Sequence, residues 1–350
     1  MSQTLTTILA NEKPFRLKQV YLAWFDPKLN SYAELTTLSK ELREKLAEVP
    51  WISVKQTALE TSPSDGTKKV LLELADGALI ETVLMPRIDK SKKEAEHRYT
   101  VCLSTQVGCP MRCAFCTTGK LGFKRNLLVE EIVDQFRFWQ KELIKTDPAG
   151  QINNIVLMGQ GEPLLNYDNV KEALNLFLKY VDIGPRKITL STVGVPQAMD
   201  RLLDDPDFPA VRFALSLHTA IEESRKKIIL SHQKGFLEWL ITWANKYHRR
   251  FPSRTHFIGL EYTFLEGVND DDKHLKALIK LASKLGRVRI NLIPYNTDPN
   301  NPGLFQGSKK ETIETWQTAL LAKGFISTIR HSQGQDISAA CGQLHNRARI

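Results

Sequence analysis

Apolar and polar positions change their rhythm along this chain at about residue 100. Beyond it, short apolar runs of the strand type recur at 100–104, 155–158, 187–192, 211–217, 258–264, 288–293 and 325–330. Between several of them the apolar residues follow helical spacing. The segment 128–143 does so through Ile132, Phe136 and Leu143, and 169–181 through Val170, Leu174, Phe177 and Val181; 235–247, 272–284 and 309–322 are similar. Strands that alternate with helices predict parallel strands joined by right-handed crossovers. The strands are too few for a closed eightfold barrel, so the pattern predicts an α/β fold built as a partial (β/α) barrel.

The first 95 residues read differently. Leu35, Leu38, Leu42 and Leu46 recur at helical spacing and predict a helix over 32–48. VLLELADGALIETVLMP, 70–86, predicts two strands about an Asp76-Gly77 turn. In the second strand Ile80, Thr82 and Leu84 face one way, and Glu81, Val83 and Met85 the other. RIDKSKKEAEHRY, 87–99, is polar and mostly basic and reads as a linker or exposed loop. The chain thus divides into a small N-terminal helical-plus-hairpin domain (1–95), the barrel (96–335) and a C-terminal segment (336–350).

Polar residues gather at or near the ends of the barrel strands. GQGEP, 159–163, follows IVLM; Ser191 and Thr192 end KITLST; Ser216 and His218 end FALSLH; Asn291 opens NLIPYN. A lone Ser or Asn is ordinarily a turn or cap residue. Recurrence in successive units points instead to one mouth, where barrels carry out their chemistry.

Composition narrows the class. With 350 residues, 42% hydrophobic and 25% charged, the chain has the make-up of a globular protein. It has no apolar run of membrane-spanning length, and MSQTLTTILANEKPF lacks the pattern of a secretion signal, so a cytoplasmic protein without a membrane partner is expected. The net charge of +9 makes a polyanionic partner a fair expectation. The basic groups are Lys90, Lys92 and Lys93; Lys120, Lys124 and Arg125; Arg249, Arg250 and Arg254; Arg347 and Arg349. They are expected to lie near the mouth. The six tryptophans sit mostly at helical apolar positions and read as core.

Three of the five cysteines, Cys109, Cys113 and Cys116, fall within CPMRCAFC. In a reducing compartment such thiols bind metal or react rather than pair. Structural zinc takes four ligands, so a zinc site needs a distant fourth such as His218 or Cys341.

C-x3-C-x2-C with an aromatic residue, here Phe115, before the last cysteine resembles the signature of radical S-adenosylmethionine (SAM) enzymes. The match goes further. VCLSTQVGCPMRCAFCTTGKLGFKRNLLVEEIVDQ, MGQGEPLLN, LSTVGVP, SLH, NLIPYN and AACGQL resemble, in order, the RlmN/Cfr family of radical SAM RNA methyltransferases; FRLKQV and ELTTLSKELREKL resemble its N-terminal domain more weakly. The resemblance implies an RNA-binding accessory domain, a radical SAM barrel and a catalytic C-terminal cysteine segment. It makes Cys109, Cys113 and Cys116 ligands of a four-iron, four-sulfur (4Fe-4S) cluster. It gives Gly161, Glu162, Ser191, Ser216, Leu217, His218 and Asn291 contacts to SAM. Cys341 is then the methyl-carrying thiol, Cys102 the second catalytic thiol and Glu81 a proton acceptor.

The implied reaction methylates carbon 2 of an adenosine in 23S ribosomal RNA, and in transfer RNA. One SAM methylates Cys341; a second, cleaved reductively, gives a radical that takes hydrogen from that methyl group; the resulting methylene bridges protein and RNA; Cys102 releases the product as a disulfide forms. An external electron donor and a disulfide reductant are implied, and the protein is expected to be a monomer. Three alternatives stay open: methylation at carbon 8 of the same adenosine, a radical SAM enzyme acting on a peptide or metabolite, and a non-catalytic metal-containing RNA-binding protein.

Overall fold

In the computed structural model the described residues are 5–87, 97–297 and 304–346. The strands are β1 (Val54–Thr61), β2 (Lys68–Leu74), β3 (Leu79–Pro86), β4 (Arg98–Cys102), β5 (Gln106–Gly108), β6 (Phe123–Asn126), β7 (Gln151–Leu157), β8 (Ile188–Thr192), β9 (Arg212–Ser216), β10 (Ile258–Phe264), β11 (Val288–Pro294) and β12 (Ile326–Ile329). Ten of them form one sheet in the order β1-β2-β3-β4-β7-β8-β9-β10-β11-β12, and β5 pairs with β6 apart from it. From β4 to β12 each neighbour is parallel, which is the partial barrel that the alternating pattern predicts. All seven apolar runs are strands, and helices Val129–Thr146, Tyr167–Tyr180, Phe236–Arg250, Asp272–Ala282 and Lys310–Ala322 stand where helical spacing placed them. Every residue of β10 is buried, as expected of a strand covered on both faces.

The N-terminal hairpin forms about Asp76-Gly77. Gly77 has φ +77° and the Asp76 carboxylate accepts the Ala78 N–H at 3.1 Å. β1 extends the hairpin; its exposed, polar sequence carries no apolar signature. The sheet does not stop there. β3 pairs antiparallel with β4, with Val83 opposite Cys102, so the hairpin strands continue into the barrel sheet. Both faces of β3 are buried: Ile80 and Leu84 join the main core, while Val83 packs with Cys102, Ile337, Ala339 and Leu344.

One expectation needs correcting. The span 32–48 is not one helix but a 3-10 turn, Tyr32–Glu34, and a helix, Lys40–Leu46. Ser39 accepts the Leu42 N–H at 3.3 Å and starts the helix anew. Serine competes for backbone bonds inside a helix and favours its N-cap. Leu35, Leu38, Leu42 and Leu46 are nevertheless all buried. Arg137, 2% exposed on helix Val129–Thr146, ties this region to the barrel. It donates to the carbonyls of Trp24 (2.6 Å) and Trp51 (2.7 Å), pairs with Asp134 and stacks on both indoles.

Residues 88–96 of the basic stretch lie outside the described residues, as do Arg347 and Arg349. Arg249 and Arg250 end helix Phe236–Arg250 and Arg254 lies between it and β10, at the end of the barrel opposite the mouth, contrary to expectation. A helix following a parallel strand runs back across the sheet, so its basic C-terminus faces away from the strand ends that form the site.

Candidate active site

The C-terminal ends of the parallel strands surround a cavity of about 340 Å³. All five cysteines line it, although they are far apart in sequence, and all five are free thiols. Cys109, Cys113 and Cys116 lie in the loop between β5 and β6 and are each partly exposed. The loop is fixed from three directions: Cys109 N–H donates to Gly122 (2.8 Å), Cys113 bridges to Ile229, and Ala114 N–H donates to Ile228 (2.9 Å). Burial pushes the Cys109 thiol up to about 12, and burial with the neighbouring thiols raises Cys113. The bare Cys109 and Cys113 thiols therefore stay protonated until a cation replaces the proton.

Among the described residues no group of three or more His, Cys, Asp or Glu side chains is arranged to hold a single metal ion. Three soft, unpaired sulfur donors on one loop, opening into a cavity of this size, suit an iron–sulfur cluster. Cys109, Cys113 and Cys116 are the residues that would hold it.

After β7 the chain turns sharply through GQGEP. A Cβ on Gly159 would lie 2.7 Å from the Leu103 carbonyl oxygen, and Gly161, at φ +104°, lies against Gln106. This close approach lets Gln106 Oε1 accept the Glu162 N–H at 2.7 Å. Glu162 is 3% exposed. Its carboxylate accepts N–H groups of Leu164 (3.0 Å) and Val193 (2.8 Å), yet burial outweighs them and raises its pKa to about 7. A cation brought into the cavity would recover that cost by pairing with it.

The other predicted residues divide into those that face the cavity and those that support it. Gly161, Glu162, Ser191, Ser216 and His218 line it, and Ser191 and Ser216 place their hydroxyls 3.4 Å apart. His218 has φ +56° and stacks edge-on against Phe115 at 4.7 Å. Its Nδ1 accepts the Thr263 N–H at 3.1 Å, and burial lowers its pKa to about 3, so the ring is neutral with its proton on Nε2. The Leu217 side chain is buried in the core, and Asn291 does not line the cavity. Asn291 Nδ2 donates to Glu261 Oε1 at 2.7 Å.

Cys102, at the end of β4, is buried, and burial followed by the nearby Cys341 thiol raises its pKa strongly. Cys341 is open to the cavity, although protein surrounds it closely enough for lost hydration to raise its pKa as well; Arg330 opposes that rise, and Glu261 and Cys116 add to it. The segment carrying Cys341 is laid over the cluster loop: Thr117 N–H donates to Gly342 (2.8 Å), and Thr118 Oγ1 to Leu344 (2.9 Å). Glu81 is fully buried beside this segment and does not itself line the cavity.

Sequence reasoning missed three groups. Glu261 is 4% exposed on β10, where its carboxylate is reached by Asn291 and, at 3.5 Å, by Arg330, while its carbonyl accepts the N–H groups of Leu217 and His218. A charged residue inside the apolar run IGLEYTF was the available signal. Arg225, 2% exposed, donates to the carbonyls of Leu217 and Val193 beside Cys113, and burial lowers its pKa to about 10. Nothing in SRKKI distinguishes it from its exposed neighbours. Arg330 ends the last strand and enters the cavity.

Comparison with known proteins agrees with this geometry. Residues 103–279 match the model of the radical SAM superfamily. The chain is 38% identical over 340 residues, 96% of its length and 88% of the relative's, to the dual-specificity RNA methyltransferase RlmN of Marinobacter nauticus. A crystal structure of a radical SAM methyltransferase from Sphaerobacter thermophilus superposes with a TM-score of 0.84 at 32% identity, covering 99% of this chain and 98% of that one. With an open sulfur triad at the mouth of a partial barrel and a match over nearly its whole length, the chain belongs to the radical SAM superfamily and, within it, to the RlmN family.

Proposed function

We propose that this protein methylates carbon 2 of adenosine in 23S ribosomal RNA and in transfer RNA, with Cys341 as methyl carrier and Cys102 as resolving thiol. The observation that carries the reading is the meeting of all five cysteines at one cavity. The ring carbon is electron-poor and will not attack a SAM methyl group as an amine would, so methylation needs a radical route. Cys109, Cys113 and Cys116 would hold a 4Fe-4S cluster, which when bound would supply the electron for reductive cleavage of SAM.

Glu162 is placed to pair with the SAM amino group, and Gly161, packed against Gln106, lets the turn that carries Glu162 form. Neutral His218 offers an Nε2 proton, and Ser191 and Ser216 offer hydroxyls. Asn291 acts in concert with Glu261, which holds its amide. Cys341 Sγ carries the methyl group into the cavity, and the carbon that has lost hydrogen bonds to the adenine ring. The adduct is still a radical, so it gives up the ring proton together with one electron, which passes to an external one-electron carrier in the reverse of the donation that began the turnover; Cys102 Sγ then attacks Sγ of residue 341. A sulfur–sulfur bond forms, the sulfur–carbon bond breaks, and its electron pair goes to the methylene, which takes up a proton as the new methyl group. The Cys102 thiol is protonated at rest, so its proton must leave as it attacks. The disulfide then needs two electrons from an external dithiol. An unstacked adenine is the form that a cavity of this size can admit. Lys120 and Lys124 beside the cluster loop, with Arg330, are the cations suited to its phosphates; Arg125 is committed to Asp76 and Glu131. Among the described residues no helix is long and apolar enough to cross a membrane.

Mass spectrometry of digested ribosomal RNA tests the reaction. RNA from cells lacking the protein should gain 2-methyladenosine when it is restored; gain of the 8-methyl isomer would overturn the assignment.

A further inference from the structure

The carboxylate of Glu81 is hydrogen-bonded through Oε2, while Oε1 faces a lysine at ion-pair distance without a hydrogen bond. Oε1 stands 3.1 Å from Nζ of Lys69 on the neighbouring strand, and that ammonium is 3.4 Å from Glu60 on β1. Lys69 is 2% exposed and Glu81 is 0% exposed. Oε2 accepts two backbone N–H groups of the C-terminal segment, from His345 at 2.7 Å and Asn346 at 3.2 Å. Asn346, at φ +58°, is held twice more: Gln160 Nε2 donates to its Oδ1 at 2.6 Å, and its Nδ2 donates to the Leu79 carbonyl at 2.7 Å. Gln160 Oε1 closes the ring by accepting the Glu81 N–H at 3.2 Å. Asn296 holds the other end, donating to the Cys341 carbonyl at 3.2 Å.

Burying an ammonium and a carboxylate is costly, and an apolar pair of similar size is often at least as stable. Stability alone therefore does not account for a buried Lys69–Glu81 pair. An ionised carboxylate is a stronger acceptor than a neutral one, and it is aimed at the backbone four and five residues beyond the Cys341 thiol. We infer that Lys69 and Glu81 are positioning residues for Cys341: the ion pair holds a charged oxygen that clamps the backbone beyond the thiol and so fixes the thiol over the cavity. This rests on the reading of Cys341 as methyl carrier and deepens it. It also changes the part played by Glu81. With the segment in place, the carboxylate has no open face toward a substrate, and its task is to anchor rather than to accept the ring proton.

The test is hydrogen exchange of the His345 and Asn346 amides in the reconstituted holoenzyme, together with the methyl occupancy of Cys341 measured by peptide mass. The variants are K69M, E81A and the double variant K69M/E81Q. Losing a charge-assisted bond should raise exchange at these amides at least about tenfold in K69M and E81A. Methyl occupancy should fall at least about threefold while iron content stays at the wild-type level. K69M/E81Q removes both charges but keeps an acceptor oxygen, so it should recover most of the protection and of the occupancy. If E81A does not fold, K69M carries the test. Wild-type exchange in the single variants would overturn the inference, as would raised exchange with unchanged occupancy. A wild-type enzyme with no methyl group on Cys341 would overturn the carrier reading itself, which separates the two failures.

Discussion

Gly161→Ala gives a sharp test of how the turn that carries Glu162 into the cavity is built. Two separate costs act at this position. The backbone sits at φ +104°, a region that an L-residue enters only at about 1–3 kcal/mol. The added methyl would also lie 2.6 Å from Gln106 Cβ and 2.8 Å from its Cγ and N. Part of that neighbour is backbone, so relief needs movement of β5 rather than of one flexible side chain, and overpacking of this kind costs a further ~1–3 kcal/mol. The sum is about 2–6 kcal/mol. Gly77→Ala is the control: it has φ +77° but nothing within 4 Å of the added carbon, so it incurs only the backbone cost of about 1–2 kcal/mol. Denaturant midpoints of both variants measure the difference. Because Gln106 Oε1 holds the Glu162 N–H, G161A should also weaken SAM binding, read by calorimetry, while G77A should not. A G161A protein that unfolds no earlier than G77A, and binds SAM as tightly as wild type, would refute this account of the turn.

Three further outcomes follow from the same structure. Because burial holds the Glu162 pKa near 7, the carboxyl is neutral below that pH and charged above it; SAM affinity should rise between about pH 6 and about pH 8, and the rise should vanish in Glu162→Gln. Replacing any of Cys109, Cys113 or Cys116 by Ala should abolish iron retention and reductive SAM cleavage, measured by metal analysis and 5′-deoxyadenosine release. RNA affinity should fall with salt at a log–log slope of about −0.7 per phosphate contacted, and charge reversal at Lys120 and Lys124 should make that slope shallower, whereas reversal at Arg249 and Arg250 should leave it unchanged.

Much of the barrel was legible because its strands are buried on both faces. A run such as IGLEYTF has nowhere to go but the interior, and the helices between such runs carry one apolar stripe each. The cysteine loop was legible because its three thiols are close in sequence, so spacing alone carries the geometry. Elements stabilised from outside were not. β1 shows mostly polar residues to solvent and is held by pairing with β2, and the helix expected over 32–48 breaks where the Ser39 side chain captures a backbone N–H. The supporting residues were hidden for a related reason. Glu261 and Arg225 act through partners far away in sequence, and Lys69 and Arg225 stand in charged runs that read as ordinary surface. Only the fold brings Glu81 to the backbone of residue 345.

The division of labour between two thiols is the centre of the account, and it is tested by where each mutant stops. Cys341→Ala has no sulfur to carry the methyl group, so no bridge to RNA can form. Cys102→Ala can still form the bridge, but nothing resolves it, because water is a poor nucleophile for that sulfur. The measurement is denaturing gel electrophoresis, before and after ribonuclease, of both proteins expressed in cells with native RNA. Cys102→Ala should run as an RNA–protein conjugate that collapses on ribonuclease treatment, and Cys341→Ala and the double mutant should run as free protein. A conjugate in Cys341→Ala, or none in a Cys102→Ala protein with its cluster intact, would contradict the account.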